Sequence, residues 1–154
     1  MGCDIHVYAE KRNESGDFED IEGISVFDSR SYGVFGFLAD VRNYSSIPAI
    51  SLPRGIPDDA SSETKDSYQS WSCDAHSASW LSVKELSEFD YDAMCEDRRC
   101  TVQLSPNCWS GGGTCESGSG QPQTFRKFLG ESFMQDIEIL KESGAERIVF
   151  WFDN

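Results

Sequence analysis

The fold of this chain of 154 residues is decided by the stretch RIVFWFD, residues 147–153. The residues that alternate along it are apolar on both sides, with Ile148, Phe150 and Phe152 on one side and Val149 and Trp151 on the other. Such a strand is typical of the middle of a sheet that is covered on both faces. We predict that it lies beside a strand from the start of the chain, which would place Asp153 near Asp4 and His6.

Residues 3–11 show the two-residue alternation of that partner strand. One side carries Cys3, Ile5, Val7 and Ala9, and the other carries Asp4, His6, Tyr8 and Glu10. Residues on one side of a strand share a face of the sheet. The polar side is therefore either simply solvated or part of a functional site.

Helix signals appear in three places before residue 90. Ser82 followed by Glu85 is a capping box, which predicts that a helix begins at Ser82. A second helix is predicted over residues 31–41, with Ser31 among the candidate caps. A third and weaker helix is predicted over residues 61–71, where the apolar periodicity is poor.

The last helix is predicted to run unbroken from Pro122, near its first turn, to Gly144, just after its end. Its apolar stripe is assigned to the core and consists of Phe125, Phe128, Leu129, Phe133, Ile137 and Leu140. Residues 45–59 are predicted to form a long loop and residues 96–119 an irregular segment. Within that segment, the glycine-rich residues 109–114 are interpreted as flexible.

These elements predict an α+β fold in which a small β-sheet contains both terminal strands and packs with about three helices. At 154 residues the chain has the length of a single domain, which we assign to residues 1–154.

The charge of the chain is strongly negative, at −14, from 13 lysines and arginines against 27 aspartates and glutamates. This balance argues against long nucleic acids and anionic membranes as partners. No stretch approaches the roughly 20 apolar residues of a membrane helix. We expect a cytoplasmic protein, for which a small anionic ligand is still allowed because screening limits the reach of remote charges.

Both histidines of the chain follow an aspartate by two residues, as Asp4 with His6 and Asp74 with His76. Two imidazoles that face one scissile bond can act as general base and general acid, which suits cleavage of a phosphodiester without a metal. We therefore assign these four residues as candidate catalytic residues.

Candidate ligand-binding residues complete this hypothesis. Arg30, Arg42 and Arg54 could bind phosphate oxygens through paired N–H groups. Tyr32 or Trp80 could stack on a base. Two hydroxyl donors and one carboxylate complete the set, namely Ser77, Ser79 and Asp153.

Two metal interpretations stay open at the sequence level. Asp4, His6, Asp74, His76 and Asp153 offer the mixed imidazole and carboxylate ligands that zinc, manganese or iron accept, although their spacing matches no recognised signature. Cys95, Cys100, Cys108 and Cys115 admit a zinc site but lack the usual close pairs, so reduced thiols are favoured. Structural roles for each histidine, such as hydrogen bonding to the backbone, are also open. No cofactor is assigned from sequence.

Short motifs scattered along the chain carry a resemblance to a known group. They are Met1-Gly-Cys-Asp-Ile-His6, Arg30-Ser-Tyr32, Val41-Arg-Asn43, Arg54-Gly-Ile-Pro-Asp58, His76-Ser-Ala-Ser-Trp-Leu81 and Phe152-Asp-Asn154. Together they resemble a group of short, uncharacterised proteins of tailed bacteriophages. The resemblance implies an accessory phage protein in the host bacterial cytoplasm. Ala78 stands where many members of the group have a third histidine.

Three functional hypotheses follow. In the first, the protein recognises a small phosphorylated ligand, a nucleotide or cyclic nucleotide such as a host-defence signal, and hydrolyses a phosphodiester with His6 and His76. In the second, it sequesters such a ligand unchanged. In the third, its acidic surface blocks a host protein by imitating nucleic acid. The sequence leaves the oligomeric state undetermined.

Overall fold

The computed structural model describes residues 2–106 and 108–154, with the backbone alone for residues 101–104 and 108–112. Strands occupy eight segments of these residues, which are β1 (Asp4–Arg12), β2 (Phe18–Asp20), β3 (His76–Ser82), β4 (Met94–Asp97), β5 (Arg99–Ser105), β6 (Cys108–Thr114), β7 (Gln121–Thr124) and β8 (Arg147–Asp153). Helices occupy five, which are α1 (Tyr32–Ala39), α2 (Ser62–Trp71), α3 (Val83–Glu88), α4 (Phe125–Leu129) and α5 (Glu131–Glu142).

The main sheet has four antiparallel strands in the order β2, β1, β8, β3. The two terminal strands are direct neighbours, with Asp4 opposite Asp153 and Glu10 opposite Arg147. Both predictions are confirmed: the fold is α+β, and one small sheet contains both terminal strands. The other strands form two separate pairs, β4 with β7 and β5 with β6.

Three predicted helix starts are confirmed by their caps. The side-chain oxygens of Ser31, Ser61 and Ser82 each accept a hydrogen bond from the amide three residues later. At Ser82 the capping box is complete, because the Glu85 carboxylate also accepts the Ser82 amide at 2.9 Å. Among the described residues, no helix is long and apolar enough to cross a lipid bilayer.

The prediction of one helix from Pro122 to Gly144 is wrong. Pro122 lies in β7, a strand whose one partner among the described residues is β4 and which therefore tolerates a residue without an N–H group. The helical part is divided into α4 and α5 by Gly130, whose φ of 89° a glycine adopts readily. The apolar stripe is nevertheless core, since all its residues are buried except Phe128, which is partly buried against them.

The prediction of an irregular segment over residues 96–119 is also wrong. Residues 94–97 pair with β7, and β5 and β6 pair with each other from Arg99 opposite Thr114 to Ser105 opposite Cys108. The glycine-rich stretch thus belongs to a strand. Backbone hydrogen bonding between neighbouring strands forms this ladder, and apolar alternation, on which the sequence prediction relied, is not required for it.

The two faces of the main sheet are covered by different helices. Ile148, Phe150 and Phe152 belong to the main apolar cluster, where Phe152 packs on Phe35 of α1 with ring centres 5.1 Å apart. On the opposite face Trp151 is fully buried between Tyr8 of β1 and Tyr68 of α2, at 5.2 and 5.3 Å. Helix α2 therefore covers the polar side of β1, which is not simply solvated.

Candidate functional site

Six of the twelve predicted site residues lie at one end of the main sheet. They are carried by the start of β1, the segment that enters α1, the turn after α1 and the end of β8. We call this group the terminal cluster, and it consists of Asp4, His6, Arg30, Tyr32, Arg42 and Asp153.

His6 and Asp153 form the centre of the terminal cluster. The Nε2 atom of His6 lies 2.8 Å from Oδ2 of Asp153, and the two side chains are 25% and 16% exposed. Trp71 at the end of α2 lies against the imidazole, with ring centres 4.1 Å apart. No described residue hydrogen-bonds Nδ1 of His6. A carboxylate that holds one imidazole nitrogen is the usual way to orient the other.

Asp4 and Arg30 form an exposed ion pair beside this centre. Nε and Nη2 of Arg30 donate to the two carboxylate oxygens of Asp4 at 2.8 and 2.6 Å. The hydrogen bonds from Arg30 hold the pKa of Asp4 below its usual value. Both side chains are about half exposed, at 53% and 49%. An anion arriving from solvent can therefore compete for the Arg30 guanidinium.

Arg42 is the predicted arginine whose charge is least compensated. It donates to the Tyr44 hydroxyl at 3.2 Å and to the Asn154 side-chain oxygen at 2.9 Å, both neutral acceptors. No carboxylate of the described residues forms an ion pair with it. The Tyr32 ring centre lies 6.0 Å from its guanidinium carbon. A charged donor group is thus presented next to an aromatic ring.

The turn after α1 holds Arg42 in place. Arg42 has a φ of 49°, a left-handed conformation that is uncommon for residues other than glycine. The Asn43 side chain stabilises the turn by donating to Asp40 and to the Ile47 carbonyl and by accepting the Ile47 amide. Backbone conformations of this kind cluster at binding and catalytic sites.

His76 lies at the same end of the sheet but on the opposite face from His6. The register places His6 opposite Trp151 and His76 opposite Phe152, and successive residues of a strand point to opposite faces. The His76 ring packs on the Phe152 ring at 6.1 Å, and its Nε2 is buried without a partner among the described residues. The structure therefore does not bring the two imidazoles to one scissile bond.

The neighbours of His76 follow from a β-bulge between His76 and Ser79. Ser77 occupies the bulge with a φ of 53°, and its hydroxyl lies 3.0 Å from Nδ1 of His76. Asp74 ends a short 3₁₀ turn, Ser72–Asp74, and is exposed. Ser77 and Asp74 are thus separated from the terminal cluster, and their predicted roles stay predictions.

Arg54, Ser79 and Trp80 form a second group, which links the loop over residues 45–59 to β3. The Arg54 guanidinium binds both carboxylate oxygens of Glu85 and lies 4.8 Å from the Trp80 ring centre, while its amide donates to Ser79 Oγ at 3.0 Å. The hydrogen bond from Arg54 is the largest influence that lowers the pKa of Glu85, to about 2. These contacts dock the loop and the start of α3 together, which is a structural role.

The described residues contain no group of three or more histidine, cysteine, aspartate or glutamate side chains placed to hold a metal ion. Cys108, one member of the predicted four-thiolate set, has a side chain outside the described residues, so that hypothesis stays a prediction. Partial desolvation and the neighbouring Cys115 thiol raise the pKa of Cys100. Desolvation likewise raises the pKa of Cys95, which is buried in β4.

Sequence reasoning missed a buried charged network on the α2 face of the sheet. Glu10 is fully buried and accepts hydrogen bonds from Arg147 Nε, the Ser61 amide and the Thr64 hydroxyl, at 2.8, 2.7 and 2.9 Å. Arg147 also donates to Asp59 at 2.8 Å. The available signal was the arginine at the start of an otherwise apolar strand, together with a glutamate in its predicted partner strand.

No protein-family model matches the chain, and neither a curated protein nor a solved structure does.

Proposed function

We propose that the protein binds a small phosphorylated ligand, a nucleotide or cyclic nucleotide, at the terminal cluster and holds it without chemical change. The observation that carries this proposal is Arg42, whose guanidinium donates to the neutral side chains of Tyr44 and Asn154 and forms no ion pair with a carboxylate of the described residues. Arginine N–H groups form strong, directional hydrogen bonds with phosphate oxygens. In the phage setting that the sequence suggests, such a ligand would be a host signal.

The groups around Arg42 support the same class of ligand. Arg30 can leave Asp4 for a phosphate because their ion pair is exposed to solvent. The Tyr32 ring, whose centre lies 6.0 Å from the Arg42 guanidinium carbon, adds an aromatic side chain beside that charge. These groups come from β1, α1 and the turn after it, which makes the arrangement specific to the folded chain.

Binding without turnover is favoured over the two-histidine hydrolysis because His6 and His76 lie on opposite faces of the sheet. Acid–base cleavage by a pair requires both groups to be within hydrogen-bond reach of the reacting atoms. The remaining polar groups of the terminal cluster are suited to hold an anion.

Calorimetric titration of a panel of ribonucleotides and cyclic dinucleotides tests the proposal. The best binder should lose affinity by about tenfold or more in Arg42→Met, which removes the charge and keeps much of the side-chain volume. Arg126→Met is the matched control, because Arg126 is an exposed arginine paired with Asp92 elsewhere on the surface. Equal affinity in wild type and Arg42→Met, or equal losses in both variants, would refute a site at Arg42.

A second candidate function is hydrolysis by His6 alone, and the His6 to Asp153 contact of 2.8 Å favours it. The carboxylate fixes one imidazole nitrogen, so the other could accept a proton from an attacking hydroxyl or water. The bound ligand should then be recovered cleaved after denaturation of wild type and intact from His6→Gln. Recovery of intact ligand from both proteins excludes hydrolysis and leaves the binding proposal in place.

A further inference from the structure

Two thiols lie side by side at the end of the β5–β6 ladder that is away from its turn. Cys100 is paired with Gly113, and the Cys115 amide donates to the Arg98 carbonyl at 2.8 Å. Cys115 therefore stands opposite residue 98, two positions before Cys100. Since residues two positions apart along a strand share a face, the two cysteine side chains lie on the same side of the ladder.

The two thiols interact directly. After desolvation, the hydrogen bond of the Cys100 thiol with the Cys115 sulfur is the next influence that raises the pKa of Cys100. The residue opposite Cys100 is Gly113, where an added Cβ would lie 3.6 Å from the Cys100 Cβ. Because Gly113 contributes no side chain, the space beside the Cys100 thiol is left to Cys115. Both cysteines are partly exposed, so a small molecule in solution can reach them.

Arg98 places a positive charge beside this pair. Its Nε donates to the Cys115 carbonyl at 2.8 Å, and its charge lowers the pKa of Cys100, which partly offsets the influences that raise it. Arg98 forms no ion pair with a carboxylate of the described residues. A neighbouring arginine stabilises the thiolate, which is the reactive form of cysteine. The pair thus has the exposed and electropositive surroundings of reactive thiols.

Other cysteines are less well placed to react with this pair. Cys108 lies opposite Ser105 near the turn of the ladder, five residues before Gly113, which separates it from Cys100 by roughly 15 Å at the usual rise per residue. Cys3 and Cys95 are buried in the core, away from an oxidant in solution. The fold therefore favours a reaction within the pair.

We propose that Cys100 and Cys115 are a redox-active pair that closes an internal disulfide by exchange with a low-molecular-weight disulfide. One cysteine thiolate attacks a sulfur of that molecule, whose S–S bond breaks and releases a thiolate that takes up a proton. The second cysteine, as its thiolate, attacks the protein sulfur of the mixed disulfide and releases the second small thiol. Two protein thiols are oxidised, and the small disulfide is reduced to two thiols.

The end of the ladder permits the approach of the two sulfurs. Diagonal neighbours on one face lie roughly 6–7 Å apart at Cβ, whereas a disulfide requires about 4 Å. Cys115 is the first residue after β6 and precedes the turn closed by the Ser119 amide on the Glu116 carbonyl. It can therefore move towards β5 while Arg99 stays paired with Thr114. This inference does not rest on the proposed function, because its readout is a covalent bond and not ligand affinity.

Incubation of the full chain with oxidised and reduced glutathione tests the proposal. The reaction is quenched with acid, free thiols are blocked, and the protein is analysed by mass spectrometry. Wild type should carry two fewer blocked thiols than the reduced protein and no glutathione, and peptide mapping should find Cys100 linked to Cys115. In Cys115→Ser the mixed disulfide at Cys100 has no thiol to resolve it, so it should persist at least about tenfold longer than in wild type.

Cys73→Ser is the matched control, because Cys73 is an exposed cysteine in the 3₁₀ turn Ser72–Asp74, outside the pair. This variant should form the same internal bond at the wild-type rate. The proposal is overturned if wild type accumulates a stable mixed disulfide at Cys100 or Cys115, if neither thiol reacts, or if the bond joins either one to another cysteine such as Cys108. It is equally overturned if Cys115→Ser loses its mixed disulfide as fast as wild type.

Discussion

Replacement of Arg147 by methionine should destabilise the protein more than any surface substitution. Glu10 has no exposed surface, and the Arg147 side chain is 8% exposed. Without the guanidinium, the Glu10 carboxylate would stay buried with only the Ser61 amide and the Thr64 hydroxyl as donors. Removal of one partner of a buried ion pair costs about 3–5 kcal/mol. With a typical urea dependence of roughly 2 kcal/mol per molar, the unfolding midpoint should fall by about 2 M.

Urea denaturation followed by tryptophan fluorescence measures this change, because Trp151 is buried on the same face of the sheet as Arg147. The double variant Glu10→Gln with Arg147→Met should lose about 2 kcal/mol less of the free energy of unfolding than the sum of the losses in the two single variants, because it leaves no buried charge. Arg126→Met serves as the surface control. A loss below about 1 kcal/mol in Arg147→Met, or additive behaviour of the double variant, would refute the reasoning.

Two further predictions concern Glu85 and Gly36. The pKa of Glu85 is lowered to about 2 from 4.5 in the folded chain, so its ion pair with Arg54 contributes stability above pH 4.5 that is lost as the pH falls towards 2. The full shift of the pKa corresponds to about 3 kcal/mol, which solvent screening reduces to roughly 1–2 kcal/mol. Urea titrations at pH 6 and at pH 3 measure the free energy of unfolding, which should fall less in Glu85→Gln than in wild type over this range. Parallel curves for the two proteins would contradict the prediction. Gly36→Ala should lower the free energy of unfolding by about 1–3 kcal/mol, although alanine has the better helix propensity. The reason is that the new Cβ would lie 2.7 Å from Asn43 Oδ1. A thermal unfolding midpoint at or above that of wild type would contradict this prediction.

Part of the fold was predictable because its signals are local. The caps at Ser31, Ser61 and Ser82 each involve an amide only three residues away, so the pattern and the hydrogen bond occupy the same short segment. The helix over residues 122–144 was predicted without its break because the apolar stripe continues across Gly130. The spacing of apolar residues does not show whether the helix axis changes direction at that residue. The ladder between β5 and β6 was missed although Cys100, Val102 and Leu104 alternate with polar residues along β5, because the glycine-rich stretch of its partner was interpreted as flexible.

The candidate site was only partly predictable for a related reason. The sequence singled out His6, Asp153, Arg30 and Arg42 as chemistry-bearing residues, and the fold places all four at one end of the main sheet, where His6 contacts Asp153. It also singled out His76 by the same local pattern, yet the register of β3 on β8 sends that ring to the other face. A strand's side chains alternate with a period of two, so a shift of one residue in pairing reverses every side-chain direction.

The sequence by itself determined the class of the fold and the starts of α1, α2 and α3, because these follow from residues a few positions apart. It also placed a doubly apolar strand at residues 147–153, whose burial on both faces only a central position satisfies. The sequence predicted that Asp153 lies near His6, but tertiary structure alone decided that these two side chains contact each other directly and that Glu10 meets Arg147. The two pairs are separated by 147 and 137 residues, respectively. Contacts at such separations depend on strand order and register, which arise from packing of the whole chain and leave no mark in the residues between them.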